Sequence, residues 1–236
     1  MRMPGGEMTD YPLLPEPRTV RLRFCKTGPL QYISHLDLQR TFGRILARAD
    51  LPLWYTQGFN PHPKLVFALP LPIGCESVCE AADVRIIRDM PCGVIAGRMS
   101  LASVADLRFT DCYIPSRKFD EIAWAVYRID FASPSPVPVS PGQISEYLTS
   151  SPVMMTKKTK SGEKEIDIGP LIGSVNAELS GGFLSVEACL SASEGATLSP
   201  EMLVSALRTR FGFPGEDVEY RITRKIILDK EKKTFV

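Results

Sequence analysis

The sequence is poor in the residues that most often carry chemistry, with two histidines and six cysteines among 236 residues. No apolar run approaches the roughly 18 residues that a membrane-spanning helix needs, which excludes such a helix. No close run of three cysteines offers an iron–sulfur cluster its ligands. Cys75 and Cys79 lie close together, but a zinc site would need further ligands that only the two histidines could supply. The sequence therefore predicts buried, reduced thiols, no metal site and no cofactor.

The N-terminal stretch MRMPGGEMTDYPLLPEP lacks the apolar core of a secretion signal and is rich in proline and glycine. We expect residues 1–17 to form a flexible lead. With neither an export signal nor a membrane segment, the chain is predicted to be cytoplasmic, with no membrane partner.

Charge is nearly balanced over the whole chain but not along it. The net charge is +1, whereas the segment Arg18–Lys64 carries eight basic and two acidic residues, a local charge of +6. A basic face of this kind is typical of proteins that bind phosphate groups. A solvated face that acidic residues elsewhere offset remains the alternative.

The clearest local signal is a helix in SHLDLQRTFGRILARAD. Ser34 is a suitable N-cap, and Asp37 occupies the acidic position of a capping box. Apolar residues recur at helical spacing along one face: Leu38, Phe42, Ile45, Leu46 and Ala49.

The predicted elements of the first half run strand–helix–strand–strand–helix–strand, with an extra short strand at LPLWYT. After a proline-rich connector at ASPSPVPVSPG, the second half repeats this order loosely, with a hairpin that turns at Ser161-Gly162 among its strands. We therefore predict an α+β fold with antiparallel sheets. It consists of two ferredoxin-like (β-α-β-β-α-β) halves over 18–116 and 117–229, followed by a tail over 230–236.

The most specific stretch is QGFNPHPK, Gln57–Lys64, which sets a histidine between two prolines. Asn60 and His62 each precede a proline and are driven toward extended geometry, in which alternate residues point the same way. Asn60, His62 and Lys64 are therefore predicted to face one side, while Gly58 adopts a dihedral closed to other residues. The motif is interpreted as a polar loop that contacts phosphate or a base, or as a proline turn whose histidine packs on its own sheet.

The start of the predicted helix is a second candidate site. Helix N-termini attract anions through free N–H groups and the helix dipole, so Tyr32, Ser34 and His35 could face the same ligand as the loop. A simple local cap with an exposed imidazole is the alternative. The candidate ligand-binding residues are Tyr32, Ser34, His35, Arg40, Arg44, Gln57, Gly58, Asn60, His62 and Lys64.

Two basic features have open interpretations. Arg40, Arg44 and Arg48 form one stripe on the predicted helix, which either extends a phosphate-binding site or is a solvated face. The lysine-rich hairpin tip KKTKSGEK either clamps a phosphate backbone or protects a sheet edge from aggregation.

Three stretches of the first half are long enough to be specific: YISHLDL at Tyr32–Leu38, A-x-LPL-x-Y-x-QGFNPHPK at Ala49–Lys64, and LPLPIGCES at Leu69–Ser77. With KKTKSGEKEIDIGPLI at Lys157–Ile172, they resemble the radical SAM-linked (radical SAM-associated) proteins, an uncharacterised bacterial family defined by a domain of unknown function. The resemblance extends over about Thr19–Leu207. In that family the domain is encoded beside a radical SAM enzyme or fused to one. The resemblance therefore implies a radical SAM partner that holds the cluster and performs the radical chemistry.

Three functions are compatible with these features. The first is a non-catalytic RNA- or nucleotide-binding accessory module that acts with a radical SAM enzyme in RNA modification or ribosome-linked maturation. The second is a metal-independent ribonuclease with His35 and His62 as its acid–base pair. The third is a protein-docking domain for the radical SAM partner. The sequence favours the first, because it combines a basic first half, a stiff donor loop and a predicted ferredoxin-like platform with the family resemblance. Nothing in the sequence pairs the two histidines, which weakens the second.

Overall fold

The computed structural model describes residues 6–132, 137–150, 152–159 and 162–235, with the backbone alone described at 157–159. The chain divides into two compact units, one ending at Phe119 and the other spanning Asp120–Phe235. Both units have an α+β fold. None of the helices in the described residues is long and apolar enough to cross a bilayer.

The first unit has two helices on an antiparallel sheet of strand order β4-β1-β3-β2. Within residues 6–119, its elements are β1 (Leu13–Lys26), α1 (His35–Arg48), β2 (Leu65–Phe67), β3 (Cys75–Arg88), α2 (Cys92–Ala102) and β4 (Leu107–Tyr113). Val20 of β1 pairs with Val84 of β3, and Leu22 of β1 pairs with Cys112 of β4. This register aligns the buried residues of neighbouring strands under the helices, since side chains alternate along a strand.

The core of the first unit is centred on an aromatic cluster that joins α1 to the sheet. Phe42 of α1 lies 4.8 Å from the ring centroid of Phe24, 4.9 Å from that of Phe67 and 5.4 Å from that of Phe109, in edge-on geometry. Such pairs stabilise a fold by about 0.5–1.5 kcal/mol beyond the burial of their area. The helix predicted from apolar spacing is confirmed, and all five residues of its apolar face are buried.

The second unit has the same strand order with an additional hairpin. Its elements among the described residues of 120–235 are β5 (Ile122–Ala132), α3 (Pro141–Thr149), β6 (Met154–Thr159), β7 (Gly162–Asp167), β8 (Ile172–Ser180), β9 (Phe183–Ser193), β10 (Ala196–Thr197), α4 (Pro200–Phe211) and β11 (Glu219–Asp229). The antiparallel order β11-β5-β9-β8 corresponds to β4-β1-β3-β2 of the first unit. Strands β6 and β7 form the separate hairpin, and β10 extends the edge at the end of β9.

Local signals in the sequence mark the helix ends of the second unit. Ser140 and Gln143 form a capping box at the start of α3. Pro200 opens α4, and Gly212 ends it in a left-handed conformation with φ of 65°. The hairpin is confirmed, although its predicted turn at Ser161-Gly162 lies partly outside the described residues.

Two predictions of strands are wrong. LPLWYT forms only isolated bridges, because Pro52 has no N–H to donate to a ladder. Strand β8 was missed, because its few apolar residues are at most half-buried and its alternation is weak. Part of the proline-rich connector, 133–136, lies outside the described residues.

Residues near both chain ends are part of the folded units, although the sequence predicted a flexible lead and a tail. Strand β1 already begins at Leu13, inside the stretch predicted as a flexible lead. In the predicted tail, Phe235 is buried and its N–H donates to the carbonyl oxygen of Ile227 at 2.8 Å.

Candidate functional site

The QGFNPHPK motif forms an exposed loop closed by a narrow neck. The Thr56 N–H donates to the carbonyl oxygen of His62 at 2.9 Å, the His62 N–H donates to Thr56 Oγ1 at 3.2 Å, and Tyr55 bridges to Pro63. The chain bends throughout Gln57–Asn60, and Gly58 has a φ of 136° that other residues rarely adopt. The prediction of a straight segment from Asn60 onward is therefore corrected, because Asn60 lies in the bend and the paired segment begins at His62.

His62 is exposed, and its ring is held in one orientation. Its Nδ1 lies 2.9 Å from the carbonyl oxygen of Asn60 and 3.2 Å from Thr56 Oγ1. A carbonyl oxygen only accepts, so the neutral ring carries its proton on Nδ1 and presents Nε2 as an acceptor. Nε2 has no partner among the described residues, so it is available to a ligand.

Phe59 is the residue of this loop that sequence reasoning missed. It stands at the tip beside Gly58 with a relative exposure of 112%, the largest of any large hydrophobic residue in the described chain. An apolar ring in full contact with water has no role in the packing of its own fold. Its signal in the sequence is an aromatic residue inside a Gly-Asn-Pro turn, where no core periodicity calls for one.

The helix start is already occupied by a charge of its own. Ser34 Oγ accepts from the Asp37 N–H at 3.1 Å and donates to Asp37 Oδ2 at 2.7 Å, and Arg40 lies 3.1 Å from Asp37 Oδ1. The Ser34 hydroxyl and the Arg40 guanidinium hold the pKa of Asp37 below its usual range. Asp37 therefore supplies the negative charge that the N-terminus of α1 favours, beside the exposed Tyr32.

The two histidines are held by different neighbours. The His35 ring is edge-on to Phe67 at 5.2 Å, and its Nε2 lies 3.1 Å from the Gln39 amide nitrogen. The neighbours of His62 are Thr56 and Asn60. No polar contact joins the two rings in the part of the chain that is described.

Much of the local charge of +6 is not displayed as a basic face. Arg18 pairs with Asp89, Arg21 forms two hydrogen bonds of 2.7 and 2.9 Å with Asp83, and Lys26 donates to backbone carbonyls. Arg21 and Lys26 are each only 1% exposed. The predicted stripe on α1 does face water: Arg40, Arg44 and Arg48 are exposed.

Lys64, at the far end of the motif, lines an open cleft of about 250 Å³ on the sheet face opposite the helices. The other lining residues are Thr19, Val66, Asp83 and Arg85. Gln57 and Asn60, by contrast, lie in the exposed bend. The structure thus gives the motif two separate surfaces, the exposed loop with Phe59 at its tip and His62 at its neck, and the cleft beside Lys64.

Burial suppresses the reactivity of three of the six cysteines. All six are free, and burial raises the pKa of the Cys25, Cys112 and Cys189 thiols, which keeps them protonated at neutral pH. No group of three or more potential metal ligands occurs within the described ranges. In the lysine-rich hairpin, Lys164 is exposed, whereas the side chains of 157, 158 and 160 lie outside the described residues.

The comparison with protein families identifies a match over residues 19–200 to a family described as an uncharacterized protein conserved in bacteria (DUF2344). The chain belongs to this family. QGFNPHPK and the cleft residues lie inside the matched segment of this DUF2344 member. No curated protein matches the chain. A solved structure similar to it, of an unknown protein from Galdieria sulphuraria, has 12% identity and a TM-score of 0.26, with 89% of this chain and 99% of that chain covered.

Proposed function

We propose that this DUF2344 chain is a non-catalytic, cytoplasmic module that binds RNA or a nucleotide and acts with a radical SAM enzyme, in RNA modification or ribosome-linked maturation. The observation that carries the proposal is the exposed loop, where Phe59 is fully exposed at the tip and the His62 ring is fixed at the neck. The radical SAM partner comes from the family resemblance described above.

The chemistry of the tip suits an unpaired base. A base can stack on the exposed Phe59 ring, and stacking of this kind contributes about 1–3 kcal/mol per base. His62 Nε2 can accept a hydrogen bond from an exocyclic amine on a base edge, as single-stranded RNA readers do. The Thr56–His62 neck holds the loop before binding, which lowers the entropy cost of ordering it.

We further propose that both units are ferredoxin-like. The support is the order β4-β1-β3-β2 in the first unit and β11-β5-β9-β8 in the second, each with two helices between its strands. Antiparallel four-stranded sheets of this kind serve as RNA-binding platforms in other proteins. The β6–β7 hairpin is then an insertion in the second unit.

A second candidate function is docking of the chain on its radical SAM partner. Large apolar side chains are exposed at Tyr32, Leu36 and Ile73. The Gly74 N–H donates to the carbonyl oxygen of Gln31 at 2.9 Å, so the loop that carries Ile73 is tied to the segment that carries Tyr32. Exposed apolar side chains near one another are typical of protein interfaces.

The test is retention of single-stranded RNA by the full chain at low and high salt. We expect Phe59→Ala to weaken binding by about 5- to 150-fold, the equivalent of one lost stacking contact, and His62→Ala to weaken it further. Phe183→Ala is the matched control, because Phe183 is a 62% exposed phenylalanine of the second unit. Unchanged RNA binding by Phe59→Ala and His62→Ala, or no binding by the parent chain, would count against the proposal. Capture of the radical SAM enzyme without RNA would favour docking.

A further inference from the structure

We infer that the cleft lined by Thr19, Lys64 and Arg85 is a phosphate-binding site. The inference rests on the proposed function and names the group of the RNA or nucleotide that this surface holds. The loop tip contacts the base, whereas the cleft, at the other end of the same motif, contacts the phosphate.

Strand register places the three donors in one row across the sheet. Thr19 of β1 pairs with Arg85 of β3. Leu65 of β2 pairs with Val84, so Lys64, one residue earlier on the antiparallel strand, falls beside Arg85. Arg85 therefore lies between a hydroxyl and an ammonium group on the face opposite the helices.

Arg85 is fixed in place and has a donor to spare. Its Nη2 donates to the carbonyl oxygen of Pro17 at 2.9 Å, and its guanidinium lies 5.2 Å from the centroid of the Trp54 ring. Its Nε is buried without a hydrogen-bond partner among the described residues. A buried donor left unsatisfied is unfavourable, and an anion oxygen that reaches this Nε would satisfy it.

The cleft is positive although an acidic residue lines it. Both carboxylate oxygens of Asp83 accept from Arg21, at 2.7 and 2.9 Å, so this charge is already compensated. Lys64 forms no ion pair with any described residue. The two cations Lys64 and Arg85 therefore set the sign of the field in the cleft, which attracts an anion.

Size and donor geometry select the class of anion. A cleft of about 250 Å³ is smaller than the sites of whole small-molecule ligands, which occupy about 300–1,000 Å³. The donor side chains come from three separate segments, at Thr19, Lys64 and Arg85, and suit the several oxygens of a tetrahedral group better than a planar carboxylate. The open side leaves room for the ester substituent of the phosphate to point outward.

The test titrates the full chain with inorganic phosphate, with AMP and with a single-stranded oligoribonucleotide. The readouts are calorimetry and the NMR signal of the Arg85 Nε–H. We expect that signal to move downfield with the phosphate-bearing probes, and Lys64→Gln to weaken binding at least tenfold. Thr19→Val should weaken binding less, and Lys230→Gln, the loss of one exposed lysine in the second unit, should leave it unchanged. Equal thermal midpoints of parent and variants establish that all are folded.

The three probes separate the sources of the phosphate. Binding of phosphate and AMP, both weakened by Lys64→Gln, supports a free nucleotide as the ligand. A response to the oligoribonucleotide alone, again weakened by Lys64→Gln, supports a backbone phosphate of RNA. An Arg85 Nε–H signal that moves with none of the probes overturns the inference.

Different results would show failure of the phosphate-site inference and failure of the proposed function. If Phe59→Ala abolishes RNA binding and Lys64→Gln leaves it unchanged, the inference of a phosphate site in the cleft is overturned and the proposed function is retained. If the cleft binds inorganic phosphate but the chain binds neither RNA nor AMP, the inference of a phosphate site is retained and the proposed function is overturned.

Discussion

At the scale of the residue, the sign of a charge does not reveal where the charge is displayed. Arg21 and Arg85 both point to the face of the first unit's sheet opposite the helices, yet Arg21 is 1% exposed and bound by Asp83, whereas Arg85 lines the open cleft. The sequence places Arg21 in the basic segment Arg18–Lys64, whereas Arg85 lies outside that segment. The cross-strand register, in which Arg21 pairs with Asp83 and Thr19 pairs with Arg85, distinguishes them.

The Arg21–Asp83 pair is expected to matter for stability. Asp83→Asn should lower the free energy of unfolding by about 3 kcal/mol, because it leaves a nearly buried guanidinium without its counter-charge. The measurement is urea unfolding followed by Trp54 fluorescence in a Trp124→Phe background. Asp89→Asn, which breaks the more exposed pair with Arg18, is the control and should cost less than about 1 kcal/mol. Equal losses in the two variants would contradict the assignment.

Asp37 predicts a pH dependence at the start of α1. The pKa of Asp37 is lowered in the folded chain by Ser34 and Arg40, so its stabilising contribution is fully present above its unfolded pKa, near 4. That contribution is lost as the pH falls through the lower, folded pKa. Asp37→Asn should therefore be less stable than the parent at pH 7 and should approach the parent in strong acid. A difference in unfolding free energy that stays constant between these conditions would contradict the prediction.

At the scale of the element, structure specified by near neighbours was predictable and structure specified by distant partners was not. Helix α1 has its cap, its acidic residue and its apolar spacing within 16 residues, from Ser34 to Ala49, so the sequence predicts it fully. Strand β8 is defined by its pairing with β9, because its own residues are mostly half-exposed or exposed and give little periodic signal. The loop tip was predicted as polar, because nothing local indicates that Phe59 points into water.

Helix α1 also contains a residue that weakens it. Gly43 lies in its middle, and an added Cβ would meet nothing within 4 Å. Gly43→Ala should therefore raise the free energy of unfolding by about 0.5–1 kcal/mol, because alanine loses less backbone entropy in a helix. Gly173→Ala is the contrasting variant: its Cβ would lie 3.0 Å from Trp124 Cζ3, and we expect it to destabilise. Chemical denaturation of the two variants in parallel measures both signs, and a loss of stability in Gly43→Ala would contradict the account of α1.

At the scale of the whole molecule, two units of the same strand order arise from sequences without a detectable repeat. What the halves share is the order and spacing of their elements, and burial of one face of each strand and helix is enough to specify that order. The halves differ in what each adds to this shared order. The first unit carries QGFNPHPK and the cleft, while the second carries the β6–β7 hairpin.

The net charge of +1 sets an expectation for the salt dependence of RNA binding. Much of the basic segment is paired or buried, so the phosphate contacts must come from the cleft and the exposed arginines of α1. We expect roughly two to four such contacts, which predicts a slope of log affinity against log salt of about −1.4 to −2.8. Lys64→Gln should make that slope shallower by about 0.7, whereas Phe59→Ala should weaken binding with the slope unchanged, because stacking releases no counterions. Filter retention over a series of salt concentrations measures both. A slope that Lys64→Gln leaves unaltered would place the phosphate contacts elsewhere on the chain.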